Sequence, residues 1–388
     1  MKKIGFVIVF LSLGGCLFAQ NLLVQQLAAQ VNQDSLMTYV KQLTGLLPIE
    51  TPQGSKVIAS RYKINEGNEL AAAFIKQKLT SWGIAYSEVN FSPTGQNIIA
   101  KIEGRRPGKI MIAGAHYDAV NGSPGADDNA SGTAAILEMA RVCAGQQLPV
   151  TLHFAFWDEE EQGLIGSHAS ATDYMQYKLV GYINLDMVAY DSDNDSSFDI
   201  HSRPAGSSEE MGQRAYDLIA LYDVPLRPRL INPGDPNTDH GSFWQNNLSA
   251  IGINEEYEGD FTPHWHKYTD SITHFNVSYF TRVSRFATTA FLHFAMDSNN
   301  LVALNEYGLS NDQVDVYPNP FTTQVKISNA GHIALLKAEL VDVSGQLIYT
   351  SFIELNAIDL PPALNKGVYY LLLHDKNGFV FRKKLMKL

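Results

Sequence analysis

The chain has 388 residues, of which 45% are hydrophobic and 18% charged, so it can bury at least one large core and is not an intrinsically disordered chain. Its formal net charge of −11 argues against nucleic acid as a partner and suits cations, either metal ions or the ammonium end of a peptide. Cys16 lies near the start, so removal of a leader would leave Cys143 without a partner for an intramolecular disulfide.

The first twenty residues have the order of a signal peptide. Two lysines precede an apolar run over residues 4–13, and small residues precede an expected cleavage site after Ala19. We therefore expect residues 1–19 to be removed on export. An alternative is a lipoprotein box in which Cys16 becomes the lipidated N-terminus. No other stretch approaches the roughly 18 consecutive apolar residues of a membrane span, so we expect no transmembrane segment in the mature chain.

The next part of the chain alternates between helical and strand patterns. Apolar residues at helical spacing predict helices over 31–47, 69–82, 130–144, 207–221 and 277–296. Short apolar runs predict strands over 97–104, 109–115, 150–157, 179–186 and 250–254. This alternation predicts a three-layer α/β/α sandwich around a mostly parallel mixed sheet, with functional loops at the carboxyl ends of the strands.

The last part of the chain has a different texture. Residues 298–312 are rich in polar and turn-forming residues, as a linker is. They follow the predicted α/β domain over 20–297. Residues 313–388 consist of alternating β-type runs separated by Gly, Pro and Asn turns. They predict a second, small all-β sandwich domain that has no candidate catalytic cluster.

Carboxylate and imidazole side chains follow the predicted strands of the α/β domain, and one later loop adds more. In chain order they are His116, Asp118, Asp127, Asp128, Glu159, Glu160, Glu161, Asp186, His264, His266 and Asp270. Each has an ordinary explanation by itself, such as a helix N-cap, a solvated acidic run or a structural histidine. Together they would converge in one cleft, because the loops lie at the same edge of one sheet. Two histidines with several carboxylates suit zinc with an open coordination position.

Two divalent cations in one cleft repel each other, so a pair needs a shared anionic ligand. A carboxylate can bridge them with one oxygen on each ion. The segment "AHYDAVNGSPGADDNASG" (115–132) offers both a histidine for one metal and a pair of adjacent aspartates for the bridge, and its glycines let the backbone approach closely.

Five segments of the chain resemble successive signatures of the dinuclear-zinc exopeptidase family, which includes bacterial secreted leucyl-type aminopeptidases. They are "GAHYD", "PGADDNASG", "EEEQGLIGS", "NLDM" and "HWHKYTD", in this order within residues 60–296. Glutamate carboxypeptidases and glutaminyl cyclases share the fold. The resemblance implies two zinc ions per chain, with one set of ligands assigned by motif: His116 and Asp186 to one ion, Glu161 and His266 to the other, and Asp128 between them.

The resemblance also assigns the remaining roles. Glu160 matches the general base of the family, and Asp118 matches the carboxylate that orients a histidine ligand. Asp127 is set aside because Asp128 has the required spacing to the following Ser-Gly pair, and His264 is set aside because the ligand stands four residues before an aspartate. The implied reaction is hydrolysis of the N-terminal peptide bond of peptides with a free N-terminus, through a hydroxide that bridges the metals.

The C-terminal segment resembles the sorting domain of the type IX secretion pathway. The resemblance rests on "VYPNPF", "DVSGQLIY", "KGVYYLLL" and the basic end "RKKLMKL". It implies the secretion machinery as a partner, passage across the outer membrane, and a secreted or cell-surface location. The alternative is a carbohydrate- or surface-binding module.

Three features leave alternatives open. Asp239 and His240 resemble a family motif near the substrate pocket, although packing explains them equally well. The acidic loop that begins at Asp191 starts like a calcium loop but lacks its glycine and its final glutamate, so we expect an exposed loop. Arg203 could clamp a substrate carboxylate, which would favour a carboxypeptidase, but a surface arginine is the simpler assumption. A dipeptidase of the same family is another alternative. A glutaminyl cyclase and a non-catalytic binding protein remain further alternatives.

Overall fold

The computed structural model describes residues 21–105, 108–296, 314–329, 335–342, 347–353, 357–375 and 380–388. The chain divides into two compact units between residues 305 and 306. The predicted signal peptide over 1–19, with Cys16, and the predicted linker over 298–312 lie outside the described residues, so the domain limits stay predictions. Within the described part, no helix combines the length and apolar character that crossing a membrane requires.

The first unit contains the following strands: β1 (Ile49–Thr51), β2 (Gly54–Lys56), β3 (Ala85–Asn90), β4 (Gln96–Ile102), β5 (Lys109–His116), β6 (Thr151–Trp157), β7 (Lys178–Leu185), β8 (Ser197–His201), β9 (Arg227–Ile231) and β10 (Ala250–Glu255). Its α-helices are α1 (Leu22–Ala28), α2 (Gln33–Leu43), α3 (Glu66–Ser81), α4 (Gly132–Cys143), α5 (Ile165–Tyr174), α6 (Ser208–Leu221), α7 (Asp239–Gln245) and α8 (Val277–Met296).

Eight of these strands form one mixed sheet in the order β3-β4-β6-β5-β7-β10-β8-β9. The central strand β5 pairs in parallel with β6 and β7, and β7 pairs in parallel with β10. The pairs β3-β4, β4-β6 and β10-β8 are antiparallel. The sheet is therefore mixed with a parallel centre, which confirms the predicted fold class.

The central strand is nearly continuous in apolar residues because it is buried on both faces. Alternate side chains of β5 point to opposite faces of the sheet. Met111 and Ala113 join a large cluster with residues of α1, α2, α3, α4 and α8, whereas Ile110 and Ile112 join a smaller cluster with residues of α5 and α7. Helices thus cover both faces, and the carboxyl ends of the parallel strands open at one edge of a three-layer sandwich.

The second unit is an all-β structure with two antiparallel sheets. Its strands are β11 (Val314–Tyr317), β12 (Gln324–Asn329), β13 (Leu335–Val341), β14 (Leu347–Phe352), β15 (Ala357–Asp359), β16 (Gly367–Asp375) and β17 (Val380–Lys387). They pair as β11-β12-β15 and β14-β13-β16-β17. Buried residues of both sheets, among them Val316 and Leu371, form one hydrophobic cluster, as expected for a sandwich.

Candidate metal centre

The first predicted ligand, His116, is the last residue of β5, and its side chain is buried. Its Nδ1 lies 3.3 Å from Oδ1 of Asp118. Its Nε2 faces three carboxylate oxygens, which are Oδ1 of Asp128 at 3.3 Å, Oδ1 of Asp186 at 3.4 Å and Oε2 of Glu160 at 3.8 Å. The strand-end loops therefore bring these five predicted residues together.

The segment around Asp128 is a short helical turn over Ala126–Ser131 that leads into α4. It begins after Gly125, whose φ is +62° and whose missing side chain leaves room for a close approach of the Asp128 carbonyl oxygen. The amides of Asp127 and Asp128 donate to the two carboxylate oxygens of Asp270 at 2.8 and 3.1 Å. Asp270 thus fixes the direction in which the Asp128 side chain leaves the backbone.

The carboxylate of Asp128 spans the two histidines. Its Oδ1 faces His116, and its Oδ2 lies 3.2 Å from Nε2 of His266. The same Nε2 lies 3.0 Å from Oε2 of Glu161. One carboxylate therefore joins two groups of potential ligands, and each of its oxygens serves one group.

Asp118 lies behind this arrangement and is buried. Its two oxygens accept hydrogen bonds from the amides of Glu160 at 3.1 Å and Glu161 at 3.3 Å. Glu159, whose φ is +55°, is fixed by the Ser92 hydroxyl at 3.1 Å and the Thr94 hydroxyl at 2.6 Å. The three consecutive glutamates therefore have different environments, although the sequence presents them as one run.

The donor set fits divalent metal ions. Ligand atoms of His116, Asp128 and Glu161 lie within 4.8 Å of one another, and so do those of His116, Glu160 and Asp186. Among the described residues, Nε2 of His116 and Oδ1 of Asp186 are buried without a hydrogen-bond partner. Such atoms are costly unless something binds them, and a cation in each group would do so.

The charges of the cluster point the same way. Burial raises the pKa of Glu161 to about 7 and raises the pKa of Asp186. Burial also raises the pKa of Glu160 well above its usual range. Burial opposes the ionised form of Asp128 as well, but the imidazoles of His116 and His266 outweigh it and lower its pKa. Cations would hold these carboxylates in the ionised form that binds metal.

The residues that the motif spacing sets aside do not join either group of ligands. Oδ1 of Asp127 accepts a hydrogen bond from the amide of Ala189 at 3.0 Å. The ring of His264 stacks on His274 with centroids 3.5 Å apart, and its Nδ1 lies 3.0 Å from the Thr269 hydroxyl.

A buried arginine that sequence reasoning missed supports the loop between His116 and Asp128. The guanidinium of Arg61 is surrounded by backbone carbonyl groups that accept its hydrogen bonds, from Leu43, Tyr117, Pro124 and Gly125 at 2.7 to 2.9 Å. Burial lowers its pKa, and the nearby acidic groups oppose that change. No motif indicates this role, because its acceptors are backbone atoms.

A cavity of about 720 Å³ lies against the ligand groups. It is lined by Asp128, Glu160, Glu161, Gly163, Leu164, Asp186, Met187, Asp235, Asn237, Thr238, Tyr257, Phe261, Trp265 and His266. The aromatic residues and Asp235 are the functional candidates that the sequence did not indicate. No lysine or arginine is among these described lining residues.

Of the features left open by the sequence, Arg203 and His240 have polar partners, whereas both carboxylate oxygens of Asp239 are buried without a hydrogen-bond partner among the described residues. Arg203 donates to the carbonyl of Gly234 at 2.8 Å and lies 4.8 Å from the centre of the Trp244 ring, so it does not line the cavity. His240 lies 2.6 Å from the Thr238 hydroxyl through Nδ1 and is buried. Asp239 is also buried, and this burial raises its pKa to about 7.

The acidic loop brings together Asp191, Asp193 and, from a distant segment, Asp260. These carboxylates already accept hydrogen bonds, for example from the Ser192 amide to Asp260 at 2.6 Å and from the Asn276 side chain to Asp191 at 2.8 Å. Hydrogen bonds from neighbouring residues thus hold these carboxylates in place.

Two family models match the chain. Residues 97–290 match the model described as peptidase family M28. Residues 315–387 match the secretion system C-terminal sorting domain.

Known proteins resemble parts of the chain. A probable leucine aminopeptidase 2 from Aspergillus oryzae is 32% identical over 181 residues, which cover 43% of this chain and 34% of that protein. The chain thus spans about a third of the length of this curated relative. The LapA aminopeptidase of Legionella pneumophila matches with a TM-score of 0.63 at 18% identity, over 76% of this chain and 80% of that one. A glutaminyl cyclase from Bacteroides thetaiotaomicron matches with a TM-score of 0.55 at 20% identity, over 68% and 98% of the two chains. These two structural likenesses show the fold alone.

Proposed function

The chain belongs to peptidase family M28, and from this premise we propose that it is a zinc aminopeptidase that hydrolyses the N-terminal bond of peptides. The observation that carries the proposal is the position of Asp128, whose two oxygens face His116 and His266 at 3.3 and 3.2 Å. A carboxylate so placed can serve two cations at once, which is the arrangement that a dinuclear hydrolase needs.

Two zinc ions would bind to the five ligands assigned by motif. His116 and Asp186 would hold one ion, and Glu161 and His266 the other, with Asp128 between them. Nitrogen and oxygen donors of this kind suit zinc with an open coordination position. When bound, the metals would activate a water molecule for attack and polarise the scissile carbonyl group.

The protein groups around the metals would position and move protons. Glu160 lines the cavity and lies beside the ligands, so it would take the proton of the attacking water and return it to the leaving amine. Asp118 makes no contact with the cavity. It would act as a positioning residue, because it lies against Nδ1 of His116 and holds the amides of Glu160 and Glu161.

The charge of the cavity supports recognition of a free amino terminus. A carboxypeptidase needs a cation to bind the terminal carboxylate of its substrate. The described lining holds no lysine or arginine, and Arg203 is engaged with Gly234 and Trp244. Asp235 adds a further negative charge, which repels a carboxylate.

A glutaminyl cyclase is the second candidate, because a protein of that name shares the fold. The experiment that separates the candidates combines bound zinc per chain with three substrates: leucine p-nitroanilide, its N-acetylated form and a peptide that begins with glutamine. We expect two zinc ions and hydrolysis of the free amine alone. Equal hydrolysis of the acetylated substrate, or ammonia release from the glutaminyl peptide with a single zinc ion, would overturn the proposal.

We further propose that the C-terminal unit directs export by the type IX secretion machinery to the cell surface or medium. The match of residues 315–387 to a sorting domain supports this. Deletion of residues 313–388 is expected to retain the enzyme in the periplasm of the producing cell. Unchanged activity in the medium would contradict this assignment and would favour a surface-binding module.

A further inference from the structure

One wall of the cavity is a row of aromatic rings that starts at a proposed metal ligand. The Trp265 ring stacks on His266 with centroids 3.9 Å apart. Phe261 meets Trp265 at 5.8 Å, and Tyr257 meets Phe261 at 5.3 Å, both edge to face. The row continues to the buried ring of His201, 5.2 Å from Tyr257. A side chain that enters from the metal centre therefore has an aromatic surface to lie on.

The loop that contains Asp235 lies next to this row of rings, because His201 contacts both Tyr257 and the backbone of Asp235. Nδ1 of His201 accepts the amide of Asp235 at 3.0 Å, and Nε2 of His240 donates to the carbonyl of Asp235 at 2.8 Å. Oδ1 of Asp235 accepts the amide of Asn237 at 3.0 Å and its side-chain amide at 2.7 Å. The backbone and one carboxylate oxygen are thus fixed, while Oδ2 has no hydrogen bond within the described part of the chain.

The charge of Asp235 is not neutralised by its neighbours. Burial lowers the pKa of His201 to about 4 and that of His240 to about 3, so both rings are neutral at pH 7. The guanidinium of Arg203 serves the carbonyl of Gly234 instead, and Asp235 forms no ion pair among the residues that the structure describes.

Asp235 also differs in role from the other acidic groups of the cavity. The lining carboxylates besides Asp235 are Asp128, Glu160, Glu161 and Asp186, which are the proposed ligands and base. Asp235 therefore leaves a negative charge in a cavity that also holds the aromatic rings, with the uncharged Asn237 and Thr238 beside it. Such a surface suits a cation with an apolar stem, because the rings attract the cation and the carboxylate pairs with it.

We propose that the cavity selects peptides whose first residue is long and basic, arginine above all, with its stem along Trp265 and Phe261 and its guanidinium at Asp235. The inference rests on the proposed aminopeptidase function and names its substrate class. An apolar first residue would fill the same space but would leave the Asp235 carboxylate partly desolvated and without a counter-charge.

The test compares the full-length zinc-loaded protein on arginine, citrulline and leucine p-nitroanilides. Citrulline has nearly the shape of arginine and no charge, so the ratio of their kcat/KM values isolates the contribution of the cation. We expect arginine to exceed citrulline by about tenfold or more, as for a charge-assisted hydrogen bond. Equal rates for arginine and citrulline would overturn the inference.

The variant Asp235→Asn keeps the shape of the side chain and removes its charge. It is expected to lower the arginine-to-citrulline ratio about tenfold and to keep leucine hydrolysis, which shows that it is folded. Asp217→Asn removes an exposed carboxylate of α6 and is the matched control, with an unchanged ratio. A wild-type ratio in Asp235→Asn would overturn the inference. Failure of the proposed function itself looks different, because no free-amine substrate, leucine included, would then be hydrolysed.

Discussion

Asp118 accepts the backbone amide of Glu160 at 3.1 Å, although the two residues lie 42 positions apart in the chain. The same oxygen of Asp118 lies 3.3 Å from Nδ1 of His116. One buried carboxylate therefore orients both a proposed metal ligand and the proposed base.

Asp118→Asn should weaken both functions, because the amide nitrogen cannot accept hydrogen bonds. We expect a loss of about 10- to 100-fold in metal affinity or kcat. Zinc retention against a chelator and kcat on leucine p-nitroanilide check this. Asp173→Asn, in the exposed part of α5, is the control and should behave as the wild type. Wild-type values for both properties of Asp118→Asn would refute the positioning role.

Glu160→Gln should keep both zinc ions and lose turnover. The amide preserves size but cannot take a proton, so we expect kcat to fall by about 10²- to 10⁴-fold. Zinc content by atomic absorption and kcat are measured on the same sample. If the variant turned over at the wild-type rate, Glu160 could not be the base.

Asp128→Asn should bind metal more weakly, and this loss of metal, not a slower reaction of the metal-loaded enzyme, should lower its activity. Its two oxygens face both ligand groups, so we expect weaker binding of both ions and not of one alone. Titration of the metal-free variant with zinc, followed by calorimetry, measures this. Asp127→Asn is the neighbouring comparison, because Asp127 serves the Ala189 amide instead. Two wild-type affinities in Asp128→Asn would contradict a shared ligand.

His153, on β6, should reduce stability at acid pH. Its ring lies 3.0 Å from the Tyr174 hydroxyl, and burial lowers its pKa to about 4. Between about pH 6.5 and 4, His153 is protonated in the unfolded chain but neutral in the folded chain. The free energy of unfolding therefore falls as the pH drops through this range. His153→Gln should lose less stability over this range, by on the order of 1 to 3 kcal/mol. Urea unfolding at pH 7 and pH 5 tests this, and an identical pH dependence in variant and wild type would refute it.

Sequence periodicity indicates α2, α3, α4, α6 and α8 and the strands β4, β5, β6, β7 and β10, but it does not indicate β1, β2, β3, β8, β9, α1 or α5. The apolar run of β5 is long because both faces are buried, and Gly83, with φ of +69°, ends the helical segment of α3 as its position indicates. The short helix α7 could not be predicted, because seven residues hold too few turns to show a period, and its Phe243 and Trp244 pack by virtue of tertiary contacts.

The candidate site was predictable where ligands follow strands. His116 and Asp186 come directly after apolar runs, so the fold rule brings them to one edge. The ligand roles themselves remain predictions. Asp235 could not be found in this way, because its position depends on His201 from β8, a distant segment, and on the nearby His240. The role of Arg61 could not be predicted from the sequence, because its hydrogen-bond partners are backbone carbonyl groups.

The hydrogen bonds from the amides of Asp127 and Asp128 to the Asp270 carboxylate join residues that are 143 and 142 positions apart. Synthesis runs from the N-terminus, so His116 and the three glutamates at 159–161 are present in the chain before Asp270 is made. Under the proposed function, a partly synthesised or partly folded chain is therefore inactive, and peptide hydrolysis begins only when the whole first unit has folded.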